Sequence, residues 1–165
     1  MGSVNREKGK RDGTMSETAN GAVQLVDELL ESSLESVDHA EEEAVKAATE
    51  MGFDEEELHK IGIAVRESMV NAVVHGNRYN ARKKVHFEIR RSDSDLTIRI
   101  GDEGDGFERQ EVADPLAEEN ILKFSGRGLL LIEAFMDEYR TEARSPRGTQ
   151  VTLIKRKPVS ETTQA

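Results

Sequence analysis

Two alternating stretches run back to back and end in a glycine-rich acidic segment. Val85, Phe87 and Ile89 alternate with His86, Glu88 and Arg90, and Leu96, Ile98 and Ile100 alternate with Thr97 and Arg99. A period of two is the mark of strands with one buried face, and the SDSD between them is a turn, so this pair reads as a hairpin. Its second strand runs straight into GDEGDGF, residues 101–107. One further step of the alternation turns Asp102 inward, with Leu96, Ile98 and Ile100. A carboxylate carried inward needs a partner or a task, while Glu103 and Asp105 read as acids facing solvent.

The elements around the hairpin follow from the same kind of pattern. Residues 23–30 fit either an edge strand or the start of a helix. From about Ser36, Val37, Ala40, Ala44, Ala47 and Ala48 recur at helical spacing, with acids in the early turns and Gly52 as a stop. Asp54 reads as the cap of a second helix, with Glu57 as its box partner. That helix, over residues 54–77, has one stripe of Leu58, Ile61, Val65, Met69 and Ala72 and a second of Ile63, Val70 and Val74. A helix apolar on two sides is expected to be buried. Glu67, Asn71 and His75 fall four residues apart along one side of it. After a polar stretch at 107–125, of a length common in lids and binding loops, the spacing predicts a helix over 128–135 and strands at 137–143 and 149–156.

Several chemistries are excluded. The chain has no cysteine, which removes thiol nucleophiles and Cys-based zinc sites. With Gly106 at position 6 of a helix-loop-helix calcium loop, position 1 is Gly101 and position 12 is Val112, so the ligands are missing. GDEGDG is not G-x-G-x-x-G, and no helix opens directly after it, so a Rossmann turn is a poor fit. No P-loop motif occurs. A formal net charge of −10 argues against nucleic-acid binding. No apolar run is long enough for a membrane span. The first residues lack the apolar centre of a signal peptide, so a cytoplasmic protein is expected. Residues 1–20 and 158–165 read as polar tails around one domain at 21–157, 165 residues being a length that suits one domain.

Three companions single out the acidic loop. Glu67 and Asn71 sit on the predicted buried helix among apolar neighbours. Gly126, Arg127 and Gly128 open a helix, offering free N–H groups, a dipole and a guanidinium that suit phosphate. The long polar stretch joins the two glycine sites. Taken singly, each has a plain account: a half-exposed helix acid, a satisfied core amide, glycines that permit close packing. Their occurrence together and in this order is harder to explain that way.

The set resembles the GHKL family of ATP-binding domains. ESMVNAVVHGN is similar to the family's N box, with Glu67 and Asn71 at its spacing. Asp102, Gly104 and Gly106 match its first glycine box, GRGLLLI at 126–132 its second, and Gly148-Thr149 a further glycine-threonine pair. Within the family, the segment FSGRGLLLIEAFMDEYR looks most like the stand-alone anti-sigma factor serine/threonine kinases of bacterial partner-switching systems. The HGN ending of the N box and the basic N-terminal tail depart from that pattern.

The resemblance implies an α+β fold of Bergerat type, a mixed and mostly antiparallel sheet with helices on one face. It implies binding of ATP or ADP with Mg²⁺, and transfer of phosphate to an anti-anti-sigma protein of STAS type by a chain that also binds a sigma factor, as a homodimer. The alternative is a nucleotide-dependent binding module without useful turnover. Residue by residue, it makes Glu67 the base, Asn71 the Mg²⁺ ligand and Asp102 the acceptor of the adenine amino group. Gly104 and Gly106 let backbone approach the base, and Thr149 borders it. Gly126, Arg127, Gly128 and Leu129 lie on the phosphate side.

Overall fold

A computed structural model describes residues 21–105 and 128–158. In chain order the elements are β1 (Val23–Glu31), α1 (Leu34–Met51), α2 (Glu55–Val70) continuing into a π-helical turn (Asn71–Gly76), β2 (Lys84–Arg91), β3 (Asp95–Gly101), α3 (Gly128–Phe135), β4 (Glu138–Ala143) and β5 (Thr149–Arg156). The strands form one sheet in the order β1-β2-β3-β5-β4. Every pairing among the described residues is antiparallel. The tails and the polar stretch at 107–125 lie outside the described residues.

Residues 23–30 resolve to a strand. Val26 and Leu30 pack on the core while Leu29, in the opposite phase, is 71% exposed; that is a period of two, although a bulge after Gln24 blurs it in the sequence. The helix starts lie where side-chain caps set them. Ser33 accepts from the Ser36 N–H at 3.3 Å, so α1 begins two residues earlier than its apolar pattern. Asp54 accepts from the Glu57 N–H at 2.9 Å. Gly52 ends α1 at φ 90°, a left-handed conformation natural to glycine.

The helices cover the sheet face that carries Val85, Phe87, Ile89, Leu96, Ile98, Ile100 and Leu153, all fully buried or nearly so. The predicted α1 stripe, Val37 to Ala48, is buried throughout. Its alanines let α1 lie close on α2, where a Cβ on Gly62 would stand 3.3 Å from Val45. The two-sided burial expected of α2 does not hold. Ile61, Val65, Met69 and Ala72 are buried, but Leu58, Ile63, Val70 and Val74 are half-buried. In the second stripe Val74 lines a cavity, and Val70 and Val74 only partly pack against the core.

One buried ion pair ties the layers. Lys155 Nζ, on β5, is 2.6 Å from Glu57 Oε2 at the start of α2 and donates to the Phe135 carbonyl, which ends α3, at 2.8 Å. The Lys155 side chain is 10% exposed. Lys155→Ala leaves the Glu57 carboxylate and the Phe135 carbonyl without this donor and is expected to cost about 3 kcal/mol. Thermal or denaturant unfolding reads that loss, and a change within experimental error would contradict the tie.

Candidate functional site

The acidic loop sits where β3 leaves the sheet, between the end of the long helix and the start of β5. Asp102 is 9% exposed, so the alternation carries one step beyond Ile100, as the strand pattern requires. Its backbone N–H donates to Thr149 O at 2.9 Å, and Arg144 donates to its carbonyl at 2.8 Å. Its carboxylate Oδ1 accepts from the Gly104 N–H at 2.9 Å and the Thr149 N–H at 3.2 Å. Oδ2 lies against Gly76, where an added Cβ would stand 2.6 Å from it.

Three glycines make this packing possible. A Cβ on Gly104 would collide with the Gly76 carbonyl, and one on Gly148 with the Asp102 carbonyl; Gly148 is also at φ +109°. Gly76 belongs to the HGN that reads as a departure from the kinase pattern. Its packing role leaves no periodic signal, since it depends on which loop meets the helix end.

Burial raises the Asp102 pKa above 3.8, opposed by the hydrogen bonds from Gly104 and Thr149 and by the Arg144 and Lys83 charges. The folded protein therefore holds this proton more tightly than the unfolded chain does. The resulting stability is present below the unfolded value and is lost as pH rises through the folded one. Asp102→Asn removes that contribution. The wild-type melting temperature, measured against Asp102→Asn across acid pH, is expected to fall relative to the variant as pH climbs from 3.8; parallel curves would contradict it.

Beside Asp102 lies a cavity of about 390 Å³. Ser68, Asn71, Ala72, Val74 and His75 form one wall, from the end of α2 and the π-helical turn. Ile100, Val151, Thr149, Thr141 and Tyr139 form the other, across β3, β5 and β4. These are neighbours in the sheet, Ile100 facing Val151 and Thr141 facing Val151 from the other side. Burial raises the Tyr139 phenol, keeping it protonated, and its oxygen accepts from Thr141 Oγ1 at 2.9 Å. Leu129, buried at the start of α3, closes one side.

The long helix is not α-helical to its end. The backbone widens from Asn71, and the Asn77 N–H reaches back five residues to Ala72 O at 2.8 Å. Sequence periodicity does not reveal the switch, because apolar residues continue through it. Asn71 keeps the α-helical step from Glu67, its N–H bonding to Glu67 O. Its side-chain Oδ1 is buried and has no hydrogen-bond partner among the described residues. An orphaned buried carbonyl-type oxygen at a cavity wall fits a hard cation such as Mg²⁺. Glu67 is half-buried one turn earlier and is not among the described residues lining the cavity.

The structure thus brings Asn71, Asp102, Leu129 and Thr149 to one cavity. Gly104 supports it through Asp102, and Gly128 is buried at the start of α3. Gly106, Gly126 and Arg127 lie outside the described residues. Glu103, expected simply to face solvent, is exposed but accepts the Lys84 N–H at 2.5 Å. Asp105 is exposed, with Arg147 at 3.7 Å. Sequence reasoning missed Asn77. It is 1% exposed and bonds three separate segments through its amide.

The histidine kinase-like ATPase domain family matches residues 30–155. The anti-sigma F factor of Clostridium acetobutylicum is 34% identical over 111 residues, covering 66% of this chain and 77% of that protein. Those of Oceanobacillus iheyensis and Clostridium perfringens are 33% identical over 109 residues and 32% over 103. The matches cover 65% of this chain and 75% of the relative in the first case, and 61% and 74% in the second. No helix among the described residues is long and apolar enough to cross a membrane.

Proposed function

The chain belongs to the histidine kinase-like ATPase domain family, and on that premise we propose that it is an ATP-dependent protein serine/threonine kinase and anti-sigma factor. Its partners would be a sigma factor and an anti-anti-sigma protein of STAS type, met in the cytoplasm by a homodimer whose nucleotide domain spans residues 21–157. The observation that carries the nucleotide reading is Asp102: a buried carboxylate, held by backbone on one oxygen, that lines a cavity of about 390 Å³. That volume is within the range of small-molecule sites. The relatives' printed name, anti-sigma F factor, supports the partner class.

In this reading Asp102 Oδ2 accepts the N6–H of adenine. Thr149 and Val151 border the base, and Gly76, Gly104 and Gly148 keep the backbone close enough to exclude water from it. Asn71 Oδ1 would hold Mg²⁺, which when bound neutralises charge on the phosphates. Gly126, Arg127, Gly128 and Leu129 belong to the phosphate side, where a guanidinium and free N–H groups suit anionic oxygens. Glu67 accepts the proton of the attacking serine or threonine hydroxyl as its oxygen bonds to the γ-phosphorus and the bond to the ADP oxygen breaks. Such a transfer needs chiefly positioning and charge neutralisation.

The test is incubation with Mg²⁺ and γ-labelled ATP beside STAS-type proteins encoded near this chain's gene. Label on a serine or threonine of one of them is the expected result. Nucleotide binding without transfer to any of them would favour the non-catalytic binding module.

A further inference from the structure

We propose that Asn77 is a positioning residue for base recognition: it sets the Asp102 carboxylate by pinning the next peptide to the end of the N-box helix. The inference rests on Asp102 as the adenine acceptor and adds to that reading a residue with no direct contact to the base.

The geometry is that of a four-way tie. Asn77 Oδ1 accepts the Glu103 N–H at 2.8 Å, and Nδ2 donates to Ser32 Oγ at 2.9 Å and to Lys84 O at 3.0 Å. Ser32 Oγ in turn donates to Lys83 O at 2.5 Å. One amide thus joins the exit of β1, the entry of β2, the helix end and the acidic loop. The Glu103 N–H lies in the peptide that leaves Asp102, so fixing it fixes Asp102 from the helix side. The opposite side is held by Thr149 and Arg144.

The π-helical turn gains a reason from this arrangement. An α-helix would bond the Asn77 N–H four residues back, whereas here it bonds Ala72 O, five back. The wider turn shifts the phase of Gly76 and Asn77. In that phase Gly76 faces the Asp102 carboxylate with no Cβ to intervene, and Asn77 reaches the following peptide. The HGN ending is the device that seats the loop. Removal of the Asn77 amide leaves the Glu103 N–H without this acceptor and the Ser32 hydroxyl and Lys84 carbonyl without this donor.

A general loss of stability would weaken all ligands alike, through the folded fraction. Displacement of Asp102 would weaken adenine and spare a base that lacks its amino donor. The probes are Mg-ADP and Mg-GDP, titrated by calorimetry into the full chain. Loss of one buried hydrogen bond to the loop predicts that Asn77→Ala raises the ADP dissociation constant about tenfold while the GDP constant changes less than about twofold. Asn77→Asp keeps an acceptor for the Glu103 N–H and is expected to recover part of the ADP preference. Where either variant fails to fold, Ser32→Ala carries the test, since it removes one anchor of the amide and leaves Glu103 untouched; a preference for ADP reduced about threefold is expected. An unchanged ADP-to-GDP ratio in the folded variants overturns the role of Asn77. Wild-type protein that binds neither nucleotide overturns the Asp102 reading itself, and with it this inference.

Discussion

Glu67→Gln is expected to slow phosphotransfer by a factor on the order of 10² to 10⁴, the range over which a positioned base acts, while ATP affinity stays within about twofold of wild type. Glutamine keeps the length and polarity of the side chain but cannot take up a proton at neutral pH. Glu67 lies one α-helical turn before Asn71, whose N–H bonds to the Glu67 carbonyl. The proposed base and the proposed Mg²⁺ ligand therefore ride on one rigid segment. Glu67 is half-buried and outside the cavity lining among the described residues, which fits a group that meets the incoming hydroxyl rather than the base. The split between lost transfer and retained binding separates this role from a general defect. A variant that transfers at the wild-type rate would remove Glu67 from the chemistry.

Asp102→Asn carries the second large effect, and its two halves have opposite signs. The amide can keep an oxygen toward the Gly104 and Thr149 N–H groups, as Oδ1 does now. Its NH₂ then takes the place of Oδ2 and meets the adenine N6–H, donor against donor. A hydrogen bond to a charged acceptor contributes about 1.5–3 kcal/mol, so ADP affinity is expected to fall by roughly 10- to 100-fold. Stability moves the other way. Burial disfavours the ionised carboxylate, and at neutral pH the neutral amide relieves that cost, so the variant is expected to melt at or above the wild-type temperature. Calorimetry and thermal unfolding on one preparation check both. Weaker binding with a lower melting temperature would point to damaged folding instead of a lost acceptor.

Much of this arrangement is legible in the residues because it obeys short periods. The alternation of Leu96, Ile98 and Ile100 turned Asp102 inward, and the alanines of α1 announced their own burial. Asp54 and Gly52 marked helix ends because caps are local in sequence. What stayed hidden depends on contacts between distant segments. Gly76 and Gly104 meet only once the sheet and helix have formed, and the bonds of Asn77 reach residues up to 45 positions away. The π-helical turn is hidden for the same reason: Val70, Val73 and Val74 continue the apolar pattern across it. The second α2 stripe misled because a residue lining a cavity, as Val74 does, has the same sequence pattern as one facing a core.

Titration of the wild-type chain with ADP by calorimetry, with and without Mg²⁺ and beside a GDP control, reads the proposed adenine site itself. One saturable site per chain is expected, tighter with Mg²⁺ because Asn71 Oδ1 has no partner among the described residues, with ADP preferred over GDP by about tenfold or more if Asp102 is the acceptor of the adenine amino group. No binding, or equal binding of the two bases, would contradict it.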